Sequence, residues 1–377
     1  MKRHTPRPGQ VVEIRGRTLD FSLWPVRRGT GGWVTNSRIF VADPWPIIRR
    51  VIEADCTQSA RPAALAFYEQ SKDFYSASQI AHVSAAKPLL LYYSFLNLAK
   101  ALILVRGLRA SLNSAKHGLS EQFAAGSTAP KGARLDAYQS IHATHNMFDD
   151  YLNVVTGSPL SATTQYPLLG LMRQIVTGHR LFTNAHRAAT EYFISIDELE
   201  ILHNGIDALW LRLAISEGDL RRLNLGQSEF LSRSRLSGSW RLVASPSSNA
   251  DGRIWLEQVN TVRYVQSWIG EAVPKAISSF RHHVWEVAMG GAPYRSYFLY
   301  APPPSEQTLV LPQMLSIYAV MYYFSSITRY RPHHFDAMLE GDFGPYVEGF
   351  LHDQPGQLLF LMASEFAKRD VCKAALV

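Results

Sequence analysis

The spacing of apolar residues predicts two long buried helices, one in each half of the chain. Residues 84–107 are apolar on nearly every face of a helix, with Pro88 tolerated in its first turn. Residues 309–330 form the second helix, which must end before Pro332 because the residue before a proline leaves the α region. The two helices therefore predict a helical core assembled from segments far apart in the sequence.

The segments outside these helices carry shorter patterns. An apolar period of two residues predicts strands, and a period near 3.6 residues predicts helices. The glycines at 29–32 predict a hairpin turn, since no Gly-Lys-Ser/Thr follows them as a phosphate loop would require. The predicted strands are residues 11–14, 35–41, 229–233, 240–243, 254–259 and 297–300. The predicted shorter helices are residues 63–71, 168–180, 186–194, 203–216, 335–339 and 357–369.

Together these elements predict a mainly α protein. A chain of 377 residues suggests two domains, or one domain with a large insertion. The predicted organisation is a helical core that is split by an α+β insertion and preceded by a small β-rich segment. The predicted parts are a basic β-rich N-terminal segment at 1–55, the first half of the helical core at 56–123, the α+β insertion at 124–305 and the C-terminal helical part at 306–377.

Composition narrows the class of protein. With 47% hydrophobic and 18% charged residues the chain can bury a substantial core, which excludes a disordered or fibrous protein. Cys56 and Cys372 are too few for a disulfide framework, so a reduced, cytoplasmic protein is expected. The uncharged stretch 309–328 contains Pro312 and several polar residues, which favours a core helix over a membrane span. No membrane association is therefore predicted.

Positive charge is concentrated at the N-terminus. Residues 1–50 hold ten basic and three acidic side chains, so they account for the whole net charge of +7. Such an asymmetry predicts a basic surface that faces a polyanion such as nucleic acid. The alternative is a solvated arginine-rich face without a partner.

One group of residues has the spacing of metal ligands. His142 and His145 lie three residues apart, and Asp149 and Asp150 follow on the same stretch. No cysteine and no second histidine helix completes a ligand set, and such groups are common on exposed helices. Neither a metal nor another cofactor is therefore predicted.

The run 329–334, Arg-Tyr-Arg-Pro-His-His, stands where the second long helix ends. A histidine titrates near neutral pH and can move protons, and a fixed arginine can stabilise charge on phosphoryl oxygens. Arg329 and His334 together could therefore cleave a phosphodiester without a metal. The alternative is that the basic residues only complement the dipole at a helix C-terminus.

Four parts of the chain resemble known families. The YaaC-like family of bacterial proteins is similar to the core Tyr-Tyr-Ser-Phe-Leu-Asn-Leu-Ala-Lys-Ala-Leu-Ile-Leu of 84–107, to His117-Gly118-Leu119, to residues 322–334 and to the closing helix. The first of these helices and the spacing of Arg329 and His334 also resemble HEPN domains, which are helical bundles and often RNases.

The HEPN resemblance implies a metal-independent endoribonuclease of phage defence or toxin-type growth control. His334 would take the proton of a ribose 2′-OH and Arg329 would stabilise the transition state, leaving a 2′,3′-cyclic phosphate. The resemblance also implies a homodimer, with RNA as the substrate and an antitoxin or defence protein as a further partner. The secondary or RNA-binding candidates are His333, Arg331, Asn97, Lys100 and His117.

A second hypothesis is a YaaC-like binding module that does not cleave RNA. Tyr330 replaces the small polar residue that often follows the arginine in HEPN nucleases, and Pro332 alters the backbone inside the motif. The same fold and basic N-terminus would then hold nucleic acid or a protein.

Overall fold

The computed structural model describes residues 3–81, 86–123, 130–141, 144–186, 191–246, 252–265 and 269–374. Helices take up 44% and strands 24% of the described residues. The helices are α1 (Trp45–Asp55), α2 (Arg61–Ile80), α3 (Lys87–Val105), α4 (Met147–Thr156), α5 (Leu168–Arg173), α6 (His179–Ala185), α7 (Glu217–Arg222), α8 (Gln227–Arg233), α9 (Ile269–Arg281), α10 (Gln313–Tyr330), α11 (Pro332–Glu340) and α12 (Gly344–Ala367), and a 3-10 helix covers Pro304–Leu309.

The strands are mostly short and belong to several sheets. They are β1 (Gln10–Val11), β2 (Glu13–Ile14), β3 (Arg17–Thr18), β4 (Val26–Gly29), β5 (Gly32–Thr35), β6 (Ile39–Val41), β7 (Leu119–Phe123), β8 (Ala133–Ala137), β9 (Thr164–Pro167), β10 (Phe193–His203), β11 (Ala208–Ser216), β12 (Trp240–Val243), β13 (Arg253–Gln258), β14 (Val262–Arg263), β15 (Val284–Ala288), β16 (Arg295–Tyr300) and β17 (Val371–Lys373).

The chain forms two compact units, each made from separate segments. Unit 1 comprises Met1–Val41, Thr190–Thr308 and Lys368–Val377, and unit 2 comprises Ala42–Ala189 and Leu309–Ala367.

Unit 1 is built around an eight-stranded antiparallel sheet. Its strands follow the order β12-β13-β11-β10-β16-β15, while β1 pairs with β10 and β14 pairs with β11. Helix α9 buries Val273, Ile277 and Phe280 in the same core as the inner side chains of the sheet. The predicted hairpin turn is confirmed, because β4 and β5 pair from Gly29 to Gly32 across two residues.

The prediction of a mainly α protein is wrong, and this sheet is the reason. Residues 203–216 were expected to be a helix, but most of them form the central strand β11, which has a neighbour on each side. Its run from Leu209 to Ile215 is buried on both faces except at Arg212, so it shows no period of two. A strand that is buried on both faces cannot be told from a buried helix by periodicity. The predicted helix 186–194 is also wrong in the part that the structure describes, since β10 begins at Phe193. The predicted strand 229–233 is wrong as well, because these residues lie in helix α8.

Unit 2 is a helical bundle with the small sheet β7-β8-β9. Helices α3 and α10 are buried along most of their length, which confirms the two predicted core helices. Ser71 of α2 and Ser94 of α3 each donate a hydroxyl hydrogen bond to the other's carbonyl, at 2.7 and 2.8 Å, so the two helices approach closely. In the described part of the chain α3 is long and apolar enough to span a membrane by length and composition alone, and 78% of its most apolar window is buried.

Candidate functional site

Three basic side chains from separate segments of unit 2 lie near one another. Lys100 comes from α3, His117 from the loop before β7, and Arg329 from the last turn of α10. Burial lowers the pKa of His117, and the positive charges of Lys100 and Arg329 lower it further. We call Lys100, His117 and Arg329 the basic cluster.

Tyrosines hold the basic cluster in place. The Tyr92 hydroxyl and Nδ1 of His117 are 2.7 Å apart and hydrogen-bonded. Arg329 donates from Nη1 to the Tyr93 hydroxyl over 2.8 Å. The Tyr322 ring lies 6.2 Å from the imidazole and 5.3 Å from the Tyr92 ring, and its hydroxyl donates to Glu121 Oε2. A tyrosine in an apolar helix needs such a polar partner, so these contacts fix the rings as well as the cations.

The cations of the cluster have no carboxylate partner among the described residues. Lys100 is half-buried, its Nζ lies 5.0 Å from the centre of the Phe67 ring, and burial lowers its pKa. Arg329 is exposed and contacts the tyrosines Tyr93 and Tyr330. The charges of Lys100 and Arg329 are therefore not neutralised by an ion pair within the described part of the chain.

The backbone around Gly118 sets the position of His117. Gly118 has φ +78°, and a Cβ there would lie 2.9 Å from the Cβ of Asn146 and 3.1 Å from the amide nitrogen of Phe148. Lys116 N donates to His145 O and Phe148 N donates to His117 O, so the two segments run side by side. Only glycine allows this approach, and the approach brings the imidazole to Tyr92.

Asp149 and Asp150, whose spacing resembled that of metal ligands, bind an arginine and backbone amides instead. Arg109 binds Asp150 with two hydrogen bonds of 2.7 and 2.9 Å. Asp149 accepts the backbone amides of Ser140 and Leu160 at 2.7 and 2.6 Å. The described residues contain no group of three metal-ligating side chains, and His142 lies outside them.

The remaining predicted site residues have contacts of their own. Asn97 is buried and donates to Gln70 Oε1 over 3.3 Å, so its amide is used inside unit 2. His334 packs on the Phe123 ring at 5.8 Å and on His333 at 4.5 Å. Arg329 and His334 lie in different helices, because α10 ends at Tyr330 and α11 begins at Pro332.

His333 and His334 line a separate cleft of about 460 Å³. Lys131 and Asp342 also face this cleft, and Met338 and Phe343 are buried beneath it. Beside it the Arg331 guanidinium stacks on Phe123 at 4.3 Å. Residues 329–334 therefore contribute to two neighbouring sites in unit 2. Arg329 belongs to the basic cluster, and His333 and His334 line the cleft.

The tyrosines of the site were not singled out from the sequence. Tyr92-Tyr93 and Tyr322-Tyr323 are the two Tyr-Tyr pairs of the long apolar helices. Buried tyrosine hydroxyls are mostly hydrogen-bonded, so Tyr92, Tyr93 and Tyr322 could have indicated a polar site between the two helices.

The fold and the basic cluster define a two-unit α+β protein with a candidate anion-binding site in its helical unit. The sequence model of the YaaC-like protein family matches residues 35–366. The chain therefore belongs to the YaaC-like family. Comparison with curated proteins and with solved structures gave no match.

Proposed function

We propose that unit 2 binds nucleic acid, RNA in the first place, by holding backbone phosphate in the basic cluster. The observation that supports this is the meeting of Lys100, His117 and Arg329 without a described carboxylate partner. Phosphate contacts from lysine and arginine supply most of the affinity of proteins for nucleic acid.

Lys100 is half-buried, which supports the binding of an anion more strongly than a fully exposed lysine would. Taking a cation out of water without an opposite charge costs free energy, and an incoming phosphate offsets that cost. Charge-assisted hydrogen bonds to phosphate are also about twice as strong as neutral ones. Arg329 is already oriented by Tyr93, so less side-chain freedom is lost on binding.

The experiment is a titration of fluorescently labelled single-stranded RNA, followed by anisotropy at fixed salt. Lys100→Ala and Arg329→Ala are each expected to weaken binding about tenfold, since one charged hydrogen bond contributes about 1.5 kcal/mol. Arg180→Ala is the matched control, because it removes an equal charge from an exposed position of α6. An equal loss in all three variants would show that only net charge matters and would contradict the proposal.

Metal-independent RNA cleavage, the activity of HEPN-like ribonucleases, is the second candidate function. The neutral imidazole that a lowered pKa favours can act as a general base, and His117 lies beside two cations. The hydrogen bond with Tyr92 occupies Nδ1, and no described residue hydrogen-bonds Nε2. His117 is therefore an alternative to His334 as the base that works with Arg329.

In the proposed step the 2′-oxygen attacks phosphorus while the histidine takes the 2′-OH proton. The bond from phosphorus to the 5′-oxygen breaks, and that oxygen leaves with a proton from solvent, giving a 2′,3′-cyclic phosphate and a 5′-OH. The test is incubation of RNA with the protein in EDTA, comparing His117→Ala, His334→Ala and His333→Ala. Loss of cleavage in His334→Ala alone would support the pair Arg329 and His334. Loss of cleavage in His117→Ala alone would support catalysis in the basic cluster. If the unaltered protein leaves the RNA intact, this function is excluded.

A further inference from the structure

We propose that the ligand of the basic cluster is an unpaired strand, one of whose bases stacks on Tyr330. This inference rests on the proposed function and names the substrate class for the same site. The strand would leave the cluster along residues 329–334, which we call the α10–α11 corner, and reach the cleft that His333 and His334 line.

Tyr330 is placed as a stacking platform. It is 62% exposed, although it is the last residue of the largely buried helix α10 and large aromatic side chains are usually covered. The Arg329 guanidinium lies 4.2 Å from the centre of its ring and also donates to its hydroxyl. The ring is thus held against one phosphate-binding cation while most of its surface stays open to a base.

A second cation and aromatic pair follows within the same corner. Arg331 stacks on Phe123 at 4.3 Å, and His334 meets the edge of the same ring at 5.8 Å. The cleft beyond it, of about 460 Å³, adds His333 and the ammonium group of Lys131. Cations and rings therefore alternate along the corner, as in proteins that track a single strand by phosphate contacts and base stacking.

This arrangement discriminates between single strands and duplexes. In a duplex the bases stack on one another and cannot reach a ring on the protein, so a duplex can use the basic cluster but not Tyr330. A single strand can use both. The expected result is tighter binding of single-stranded RNA than of a duplex RNA of the same length.

The test compares a 12-nucleotide RNA with its blunt duplex, for the unaltered protein, Tyr330→Ala and Tyr330→Phe. Stacking of one base predicts that Tyr330→Ala weakens single-strand binding about tenfold and leaves duplex binding unchanged. Tyr330→Phe keeps the ring and should restore single-strand binding to within about threefold. A 2-aminopurine in the strand reports stacking directly, since its fluorescence should fall with the unaltered protein and with Tyr330→Phe but not with Tyr330→Ala.

Each outcome has one meaning. A Tyr330→Ala variant that loses single-strand and duplex affinity equally would overturn the inference, because the tyrosine then only supports Arg329. Equal affinity of the unaltered protein for both RNAs would also overturn it, while a tenfold loss in Lys100→Ala would still uphold phosphate binding. Failure to bind either RNA would overturn the proposed function together with the inference.

Discussion

Cations are used differently in the two units. In unit 1 Arg295 is 3% exposed, lies 3.3 Å from Glu286 Oε1 and donates to the carbonyl of Val371 in β17. Arg212 lies between Glu200 and the fully buried Glu257 on the sheet. In unit 2 the basic cluster has tyrosines where these arginines have carboxylates. The first arrangement pairs each cation with a carboxylate inside the fold, whereas the second leaves the cations to which we propose that an anion binds.

Arg295→Met should give the largest effect. Removing the cation leaves Glu286 as a buried carboxylate and releases β17, so we expect unit 1 to lose about 3–5 kcal/mol in its free energy of unfolding. Denaturant unfolding followed by tryptophan fluorescence measures this loss. Arg329→Met is the matched control and should change the free energy of unfolding by less than about 0.5 kcal/mol, since Arg329 is exposed. Similar losses in both variants would remove the distinction between the units.

Gly118→Ala should have the next largest effect, because it disturbs the cluster through the backbone. The substitution forces a side chain into φ +78° and into contact with Asn146, so a loss of about 2–3 kcal/mol is expected together with weaker RNA binding. Gly157→Ala is the control: Gly157 has φ +77° but no atom within 4 Å of its Cβ position, so it reports backbone strain alone. If Gly157→Ala weakens RNA binding as much as Gly118→Ala does, His117 is not held by this contact.

Lys100→Met should separate stability from binding. Methionine keeps the packing on Phe67 and removes a half-buried charge, so the free energy of unfolding should rise by about 0.5–1 kcal/mol while RNA affinity falls. The change is opposite in sign to that of Arg295→Met. Thermal unfolding measures the change in stability, and anisotropy on the same preparation measures the change in RNA affinity. A destabilised variant would show that Lys100 has a structural partner.

Sequence reasoning succeeded where a pattern was local. The helices α3 and α10 follow from long apolar runs that are bounded by Pro88 and Pro332. The large sheet could not be predicted, because pairing of β10 with β16 joins residues about a hundred positions apart and β11 lacks alternation.

The same limit applies to the candidate site. Lys100, His117 and Arg329 were each candidates from the sequence, Lys100 and Arg329 as basic residues on long apolar helices and His117 as part of a segment that resembles the YaaC-like family. Their meeting depends on how α3 packs against α10 and on the close approach at Gly118, which no spacing along the chain encodes. The pairing of Arg329 with His334 was inferred from spacing alone, and Pro332 starts a new helix between them.

The pH dependence of RNA binding should show a smaller effect, with a sign that His117 determines. Burial, Lys100 and Arg329 lower its pKa below the usual value, whereas a bound phosphate would raise it again. Binding then takes up a proton between the two pKa values, so affinity should rise as the pH falls from the pKa of the bound state towards the lower pKa of the free protein. Anisotropy titrations from pH 5 to 8 measure this slope, and His117→Gln should flatten it although Tyr92, Tyr322 and Glu121 remain. A slope that survives in His117→Gln would assign the proton to another group.

The N-terminal arginines should give the smallest effect. Arg7 donates to the carbonyl of Gln258, and Arg49 pairs with Glu53 and Glu69, so part of the basic segment is already used within the protein. Arg27 and Arg28 are exposed on β4. If they contact RNA phosphates, the double variant Arg27→Gln/Arg28→Gln should lower the slope of log affinity against log salt by about 1.4, which is about 0.7 per phosphate on a single strand. Arg49→Gln is the control and should leave the slope as it is in the unaltered protein. If the double variant also leaves the slope unchanged, the exposed arginines of this hairpin are only solvated.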